Sequence, residues 1–293
     1  MNTRTRAELA LFATTFIWGS TFVVARLLSD SVSASLYIFL RFVFGALFFA
    51  IVFSKNVKTI SRNTWKKGII LGAMLGSGIV IQNYGIYQTT ASKSAFITGL
   101  MVIFTPMAQV FLEKRAPKLG NMIGILIVIG GLYLLTSPNG SDINFGDILV
   151  LISSVIFGVF IVYMDIFSKG EDPIQLSFTQ ILTTAIVAGI SASMEHIRFE
   201  FSWSVGMLIA YMAIFATVIT TYTQTRFQKE TTPTRAVIIF TIEPVIAATL
   251  AYFVLHELLG VGEIVGGLLI IVGILISEFS DTISKKFGLG FSQ

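Results

Sequence analysis

Arg41 and Glu243 are the side chains on which chemistry can be built, because each sits deep in a stretch of apolar residues. A charge placed there costs roughly 2.5–3.5 kcal/mol on insertion scales, so it normally faces a protein interior or a water-filled cavity. A guanidinium in that setting suits a substrate carboxylate, and a carboxylate suits a substrate amine or a coupling proton. The plainer alternative is that both only neutralise buried charge, pairing with each other or with backbone and amide groups. Polar and aromatic residues add to the set. Thr14, Trp18 and Thr21 fall at i, i+4 and i+7 and share one helix face. Gln82, Asn83 and Tyr87 cluster in the third apolar run, and Thr221, Tyr222 and Gln224 lie near the end of the eighth. Such residues either line an aqueous path or make interhelical hydrogen bonds worth about 0.6 kcal/mol on average. The substrate-binding candidates are Trp18, Arg41, Gln82, Asn83, Tyr87, Gln180 and Glu243, with Glu243 also the proton-coupling candidate. Pro106 and Pro244 each fall inside an apolar run, remove a backbone donor and are the hinge candidates.

The elements that must position these residues are helices in a bilayer. Apolar runs of about twenty residues, the length a spanning helix needs, occupy 7–28, 34–54, 68–88, 94–113, 118–136, 146–167, 175–194, 204–223, 233–255 and 260–279. Charged residues are only 12% of the 293, about half the share of a soluble domain. The longest polar connection, Lys55–Lys67, is too short to house a soluble domain. The first run is too long for a signal-peptide core and is expected to be retained as a helix.

Charge placement sets the orientation. With the N-terminus inside, sixteen of the twenty Lys and Arg residues fall in inside connections or tails. Only Lys93 and Arg198 fall outside, while Arg26 and Arg41 lie within helices. This positive-inside bias places both termini in the cytoplasm and makes the basic pI a topology signal rather than a nucleic-acid footprint. The absence of cysteine excludes thiol chemistry, and two histidines, His196 and His256, are too few for a histidine metal cluster. No metal or other cofactor is expected, and no phosphate-binding Gly-x-x-x-x-Gly-Lys-Ser/Thr loop occurs.

The last five runs echo the first five. An offset of 139 brings Gly19 onto Gly158, Phe39 onto Phe178 and Arg41 onto Gln180; Pro106 and Pro244 match at 138, and Gly124 and Gly131 match Gly266 and Gly273 at 142. Five is odd, so the second set enters the membrane from the opposite side. The expected fold class is all-α integral membrane, with ten transmembrane helices in two inverted five-helix repeats. The repeats span 1–137 and 144–280, followed by a cytoplasmic tail at 281–293. The turn-rich link from Ser137 to Gly146 separates them. Inverted repeats place a substrate site near the midplane between halves and support alternating access. Gly72 with Gly76, and Gly262 with Gly266, form small-xxx-small pairs that let helices pack closely.

The chain resembles the drug/metabolite transporter superfamily, specifically its EamA-like ten-helix members. The likeness rests on Trp18-Gly-Ser-Thr-Phe22, on Arg41-Phe42, and on Gly85-Ile-Tyr-Gln-Thr-Thr-Ala-Ser-Lys-Ser-Ala-Phe-Ile-Thr-Gly-Leu100 running to Pro106. Glu243-Pro244 leading to His256-Glu257 and Gly266-Gly267 completes it. The resemblance implies a secondary transporter of small metabolites, often an exporter of amino acids or related compounds. The expected partners are a small-molecule substrate and the lipid bilayer of a cytoplasmic membrane, with no nucleic acid, in a monomer or homodimer. An enzyme is not expected, because no His, Asp or Glu cluster gathers near one interface. The competing readings are a channel, a non-transporting receptor, or a proton-coupled drug exporter. The last favours a glutamate central in the first helix, where only Glu8 occurs, near its start.

Overall fold

The structure, a computed structural model, describes residues 2–114, 119–136, 144–258 and 260–287. Most of the link read above as turn-rich lies outside the described residues. The helices are α1 (Thr3–Leu28), α2 (Ala34–Val52), the single turn α3 (Ser54–Val57), α4 (Arg62–Ile86), α5 (Ala91–Gly99), α6 (Met101–Glu113) and α7 (Leu119–Thr136). There follow α8 (Phe145–Ser168), α9 (Pro173–Ala192), α10 (Trp203–Ala213), α11 (Thr220–Phe227), α12 (Pro233–Phe240), α13 (Glu243–Leu255) and α14 (Val261–Phe287). Among the described residues, eight helical segments are long and apolar enough to cross a membrane, counting α5–α6, α10–α11 and α12–α13 as one segment each. α7 and α14 carry shorter apolar stretches, Gly120–Gly131 and Ile264–Ile276. α14 runs to Phe287, so part of the stretch read as a tail continues the last helix.

Local sequence explains where these helices start. Ser61 accepts from the Thr64 amide, and Asp172, just before Pro173, accepts from Ile174 and Gln175. Asn144 and Asp147 form a reciprocal capping box at the head of α8. α3 breaks up the long basic connection, and α4 begins at Arg62, earlier than hydropathy alone indicates. Two ends of the bundle follow from chain order and contacts. One end gathers the starts of α1, α4 and α9; there Glu171 accepts from Asn63, Thr64 and Lys67. The other end gathers residues 29–33, 87–90, 193–202 and the start of α8. Here Arg26 donates to the Tyr87 carbonyl, Asn144 to the Gln88 carbonyl, and the Tyr84 hydroxyl to Glu195. A short antiparallel bridge joins Val32 to Phe199.

Small residues set the packing, as expected where lipid removes the hydrophobic drive between helices. A Cβ added at Gly72 would lie 2.5 Å from the Gln180 carbonyl oxygen, and one at Gly76 would lie 3.0 Å from the Val187 Cβ, so α4 lies directly on α9. α7 and α14 meet in the same way: a Cβ at Gly131 would lie 2.7 Å from the Gly266 carbonyl oxygen, and one at Gly262 3.1 Å from that of Leu134. Gly19 and Gly158 are equally tight, Gly19 against Ile246 and Gly158 against Phe104.

Both helices that carry the hinge candidates are broken, but not at the prolines. α5 gives way to α6 at Leu100, and α12 to α13 at Thr241–Ile242. Each second piece ends on a left-handed residue, Lys114 (φ 56°) and His256 (φ 55°). Breaks and left-handed ends recur at an offset of 142, so Pro106 and Pro244 do not occupy equivalent places. Pro244 lies in the first turn of α13, where a missing donor is harmless. Pro106 lies inside α6 and does remove a helix donor.

Candidate functional site

A cavity of about 100 Å³ opens among α1, α2, α4, α8 and the two broken helices. Arg41, Glu243, Trp18 and Gln82 line it. The other three candidates stand elsewhere. Asn83 is buried and donates to the Ile79 carbonyl of its own helix at 2.9 Å. Tyr87 caps the end of α4 and donates to the Val32 carbonyl at 3.0 Å. Gln180 is 0% exposed on the face of α9 that receives the α4 glycines.

Arg41 projects from the middle of α2. Its Nε donates to Thr217 Oγ1 at 2.8 Å and its Nη2 to the Ala216 carbonyl at 2.6 Å. Both acceptors belong to a π-helical stretch, Ile214–Ile219, between α10 and α11. The wider π turn shifts backbone pairing, and such turns gather at functional sites. No acid lies within 4.0 Å of Arg41 among the described residues, so it does not form an ion pair with Glu243. Part of its five-donor fork therefore remains for a ligand.

Glu243 begins α13 directly after the break, 7% exposed. No hydrogen bond or ion pair engages its carboxylate among the described residues. Around these charges, Gln82 Nε2 donates to Thr98 Oγ1 at 2.8 Å. Trp18 meets Phe240 edge-to-face, with ring centroids 5.1 Å apart. Gln224 reaches Gln228 at 2.9 Å, and Gln228 the Ile161 carbonyl at 2.7 Å.

Thr98, Phe157, Phe160 and Phe240 line the cavity but were not among the candidates. Phenylalanine is abundant at 26 residues, so individual phenylalanines carry little signal. The repeat offset carries more: Phe157 and Phe160 stand 139 residues after Trp18 and Thr21, and Gln224 and Phe240 stand 142 after Gln82 and Thr98.

Known proteins match this chain in sequence and in overall fold. Residues 5–137 and 144–279 each match the EamA-like transporter family. The chain belongs to that family. As an EamA-like protein it is a multi-pass membrane protein of a transporter family. An uncharacterized transporter of Archaeoglobus fulgidus is 30% identical over 93% of this chain and 86% of its own length. The uncharacterized transporter YoaV of Bacillus subtilis is 22% identical over 94% and 97%. A protein named an S-adenosylmethionine uptake transporter, from Rickettsia bellii, is 23% identical over 85% of each chain. A solved crystal structure, 17% identical, shares the fold with a TM-score of 0.76 over 94% of this chain and 96% of its own.

Proposed function

We propose that this EamA-like protein is a secondary carrier of a small zwitterionic metabolite, an amino acid or a close relative, working by alternating access across the cytoplasmic membrane. One observation carries the reading: a partly uncommitted guanidinium and an unpartnered carboxylate share one aromatic-walled cavity. Arg41 would take the substrate carboxylate and Glu243 the substrate amine, or a coupling proton while the site holds no substrate. Trp18 and Gln82 would orient the substrate. The Rickettsia relative is named for a compound that carries an α-amino carboxylate, which agrees with this class.

The membrane arrangement we propose has ten spans in two inverted halves, 1–137 and 144–280, with both termini cytoplasmic. It is supported by charge: the bundle end that holds the starts of α1, α4 and α9 also holds Arg4, Arg6, Lys55, Lys58, Arg62, Lys66, Lys67 and Lys169. The recurrence of breaks and left-handed ends at one offset supports two related halves. Export is the working direction, opposite to the uptake for which the Rickettsia relative is named.

Counterflow in proteoliposomes tests the reading. Vesicles preloaded with a pool of amino acids are expected to accumulate one labelled member beyond equilibrium, and vesicles of defined sidedness assign the direction. Equal, non-saturating flux without counterflow would identify a channel and overturn the proposal.

A further inference from the structure

Two ion pairs outside the cavity echo each other. Lys93 Nζ lies 2.7 Å from Asp147 Oδ2, and Arg235 Nε donates to Glu8 Oε1 at 2.9 Å. Lys93 and Arg235 are each the third residue of a broken helix, α5 and α12. Their amides donate to matched capping threonines, Thr90 at 3.1 Å and Thr232 at 3.3 Å. The basic residues are 142 positions apart and the carboxylates 139, the offsets that relate the two halves elsewhere. Each pair therefore ties the broken helix of one half to the first helix of the other.

The pairs lie on opposite sides of the cavity. Glu8 precedes Trp18 on α1 by ten residues, and Asp147 precedes Phe157 on α8 by ten. At 1.5 Å per residue each carboxylate stands about 15 Å along its helix from the cavity lining. α1 and α8 start at opposite ends of the bundle, so one pair is at each end. Both carboxylates are largely buried, Asp147 4% and Glu8 9% exposed. Glu8 Oε1 also accepts from Arg4 of its own helix at 2.9 Å and from the Thr231 hydroxyl at 3.1 Å, so when that pair parts the cost falls on the buried Arg235.

A dry ion pair resists separation, because pulling one partner away strands a buried charge. Once water enters, both charges are hydrated and separation becomes cheap. Such a pair holds a closed end shut and releases it when the end wets. We infer that Lys93–Asp147 and Arg235–Glu8 are the outer and cytoplasmic gates of the cavity, one opening while the other holds. This rests on the carrier reading and its inverted halves. The broken helices link gate to site: Thr98 and Met101 flank the break at Leu100, and Phe240 and Glu243 flank the break at Thr241–Ile242. A bound substrate thus touches the joint of each helix whose far turn carries a gate residue.

The chain has no cysteine, so Ile79→Cys, in the cavity wall, supplies a single thiol reporter. Its rate of labelling by a membrane-impermeant methanethiosulfonate is read from each face in vesicles of defined sidedness. The parent is expected to react from both faces. Lys93→Gln or Asp147→Asn is expected to raise the outer-to-inner rate ratio about tenfold, and Glu8→Gln or Arg235→Gln to lower it by a similar factor, within the usual span of coupling between sites. Exchanging the charges, Lys93→Asp with Asp147→Lys, is expected to return the ratio to within about twofold of the parent. With two variants at each end, a misfolded one leaves the other to decide. Shifts of the same sign at both ends, or no shift with the parent still labelled from both faces, would overturn the gates alone. Labelling from one face only, in the parent and in every variant, would overturn the carrier reading with them.

Discussion

Trp18, Thr21 and Thr98 in the first half of the chain have as their counterparts Phe157, Phe160 and Phe240 in the second, and all six line the cavity. The backbone brings both members of each pair to the cavity, but Thr21 and Thr98 offer hydroxyls where Phe160 and Phe240 offer rings. Charge divides in the same way. Arg41 reaches the cavity from the first half and Glu243 from the second, where the matched position in the first half holds Met101. Gln180, matched to Arg41, is instead packed against the α4 glycines. Under the carrier proposal, a repeated scaffold would let either half move about the same site, while unlike side chains would let that site grip an unsymmetrical molecule in one orientation.

The sharpest way to break this division is to remove the anion. Glu243→Gln keeps the shape and is expected to lower counterflow by about 100-fold or more, since unpairing a buried charge costs roughly 2–5 kcal/mol. Arg41→Lys keeps the cation but loses the fork, and is expected to lower counterflow by roughly 10- to 30-fold, the scale of one charged hydrogen bond. The scaffold can be tested apart from the chemistry. Gly72→Ala, at the seam between α4 and α9, is expected to cost about 1–3 kcal/mol of stability and lower the melting temperature in detergent. Gly130→Ala, whose added Cβ would meet nothing within 4 Å, is expected to leave it unchanged or raise it slightly. Phe160→Leu thins the aromatic wall, and a rise of about 3- to 10-fold in half-saturation for the apolar side of the substrate is expected, with maximal rate preserved.

The smallest effect concerns Glu171, which ties the second half to Asn63, Thr64 and Lys67 of the first. Burial works to raise its carboxyl, but the bonds from Lys67, Thr64 and Asn63 outweigh it and hold the group below its ordinary value of 4.5. The folded state therefore binds this proton less readily than the unfolded state. The stabilisation is complete above the ordinary value and is lost as pH falls through the lowered one. The melting-temperature gap between the parent and Glu171→Gln is expected to be full at neutral pH and to close in acid.

Much of this was legible in the residues. Apolar length located the helices, and the cost of burying charge singled out Arg41 and Glu243, both of which reach the cavity. Helix rotation was less legible. Asn83 and Gln82 are neighbours in sequence, yet only Gln82 faces the cavity, because adjacent residues on a helix point about 100° apart. The π stretch that receives Arg41 has no sequence mark, being a local change in backbone pairing within an ordinary apolar run. The breaks at Leu100 and Thr241–Ile242 carry no proline themselves; Pro106 and Pro244, the residues that mark a helix break in sequence, lie beyond them.

The most direct measurement is counterflow of the best-exchanged amino acid against two of its analogues, one lacking the carboxylate and one lacking the amine. If Arg41 and Glu243 hold opposite ends of the substrate, both analogues fail to exchange in the parent protein, and Glu243→Gln restores exchange of the amine-less acid alone. Full exchange of either analogue by the parent would contradict a site built on one cation and one anion.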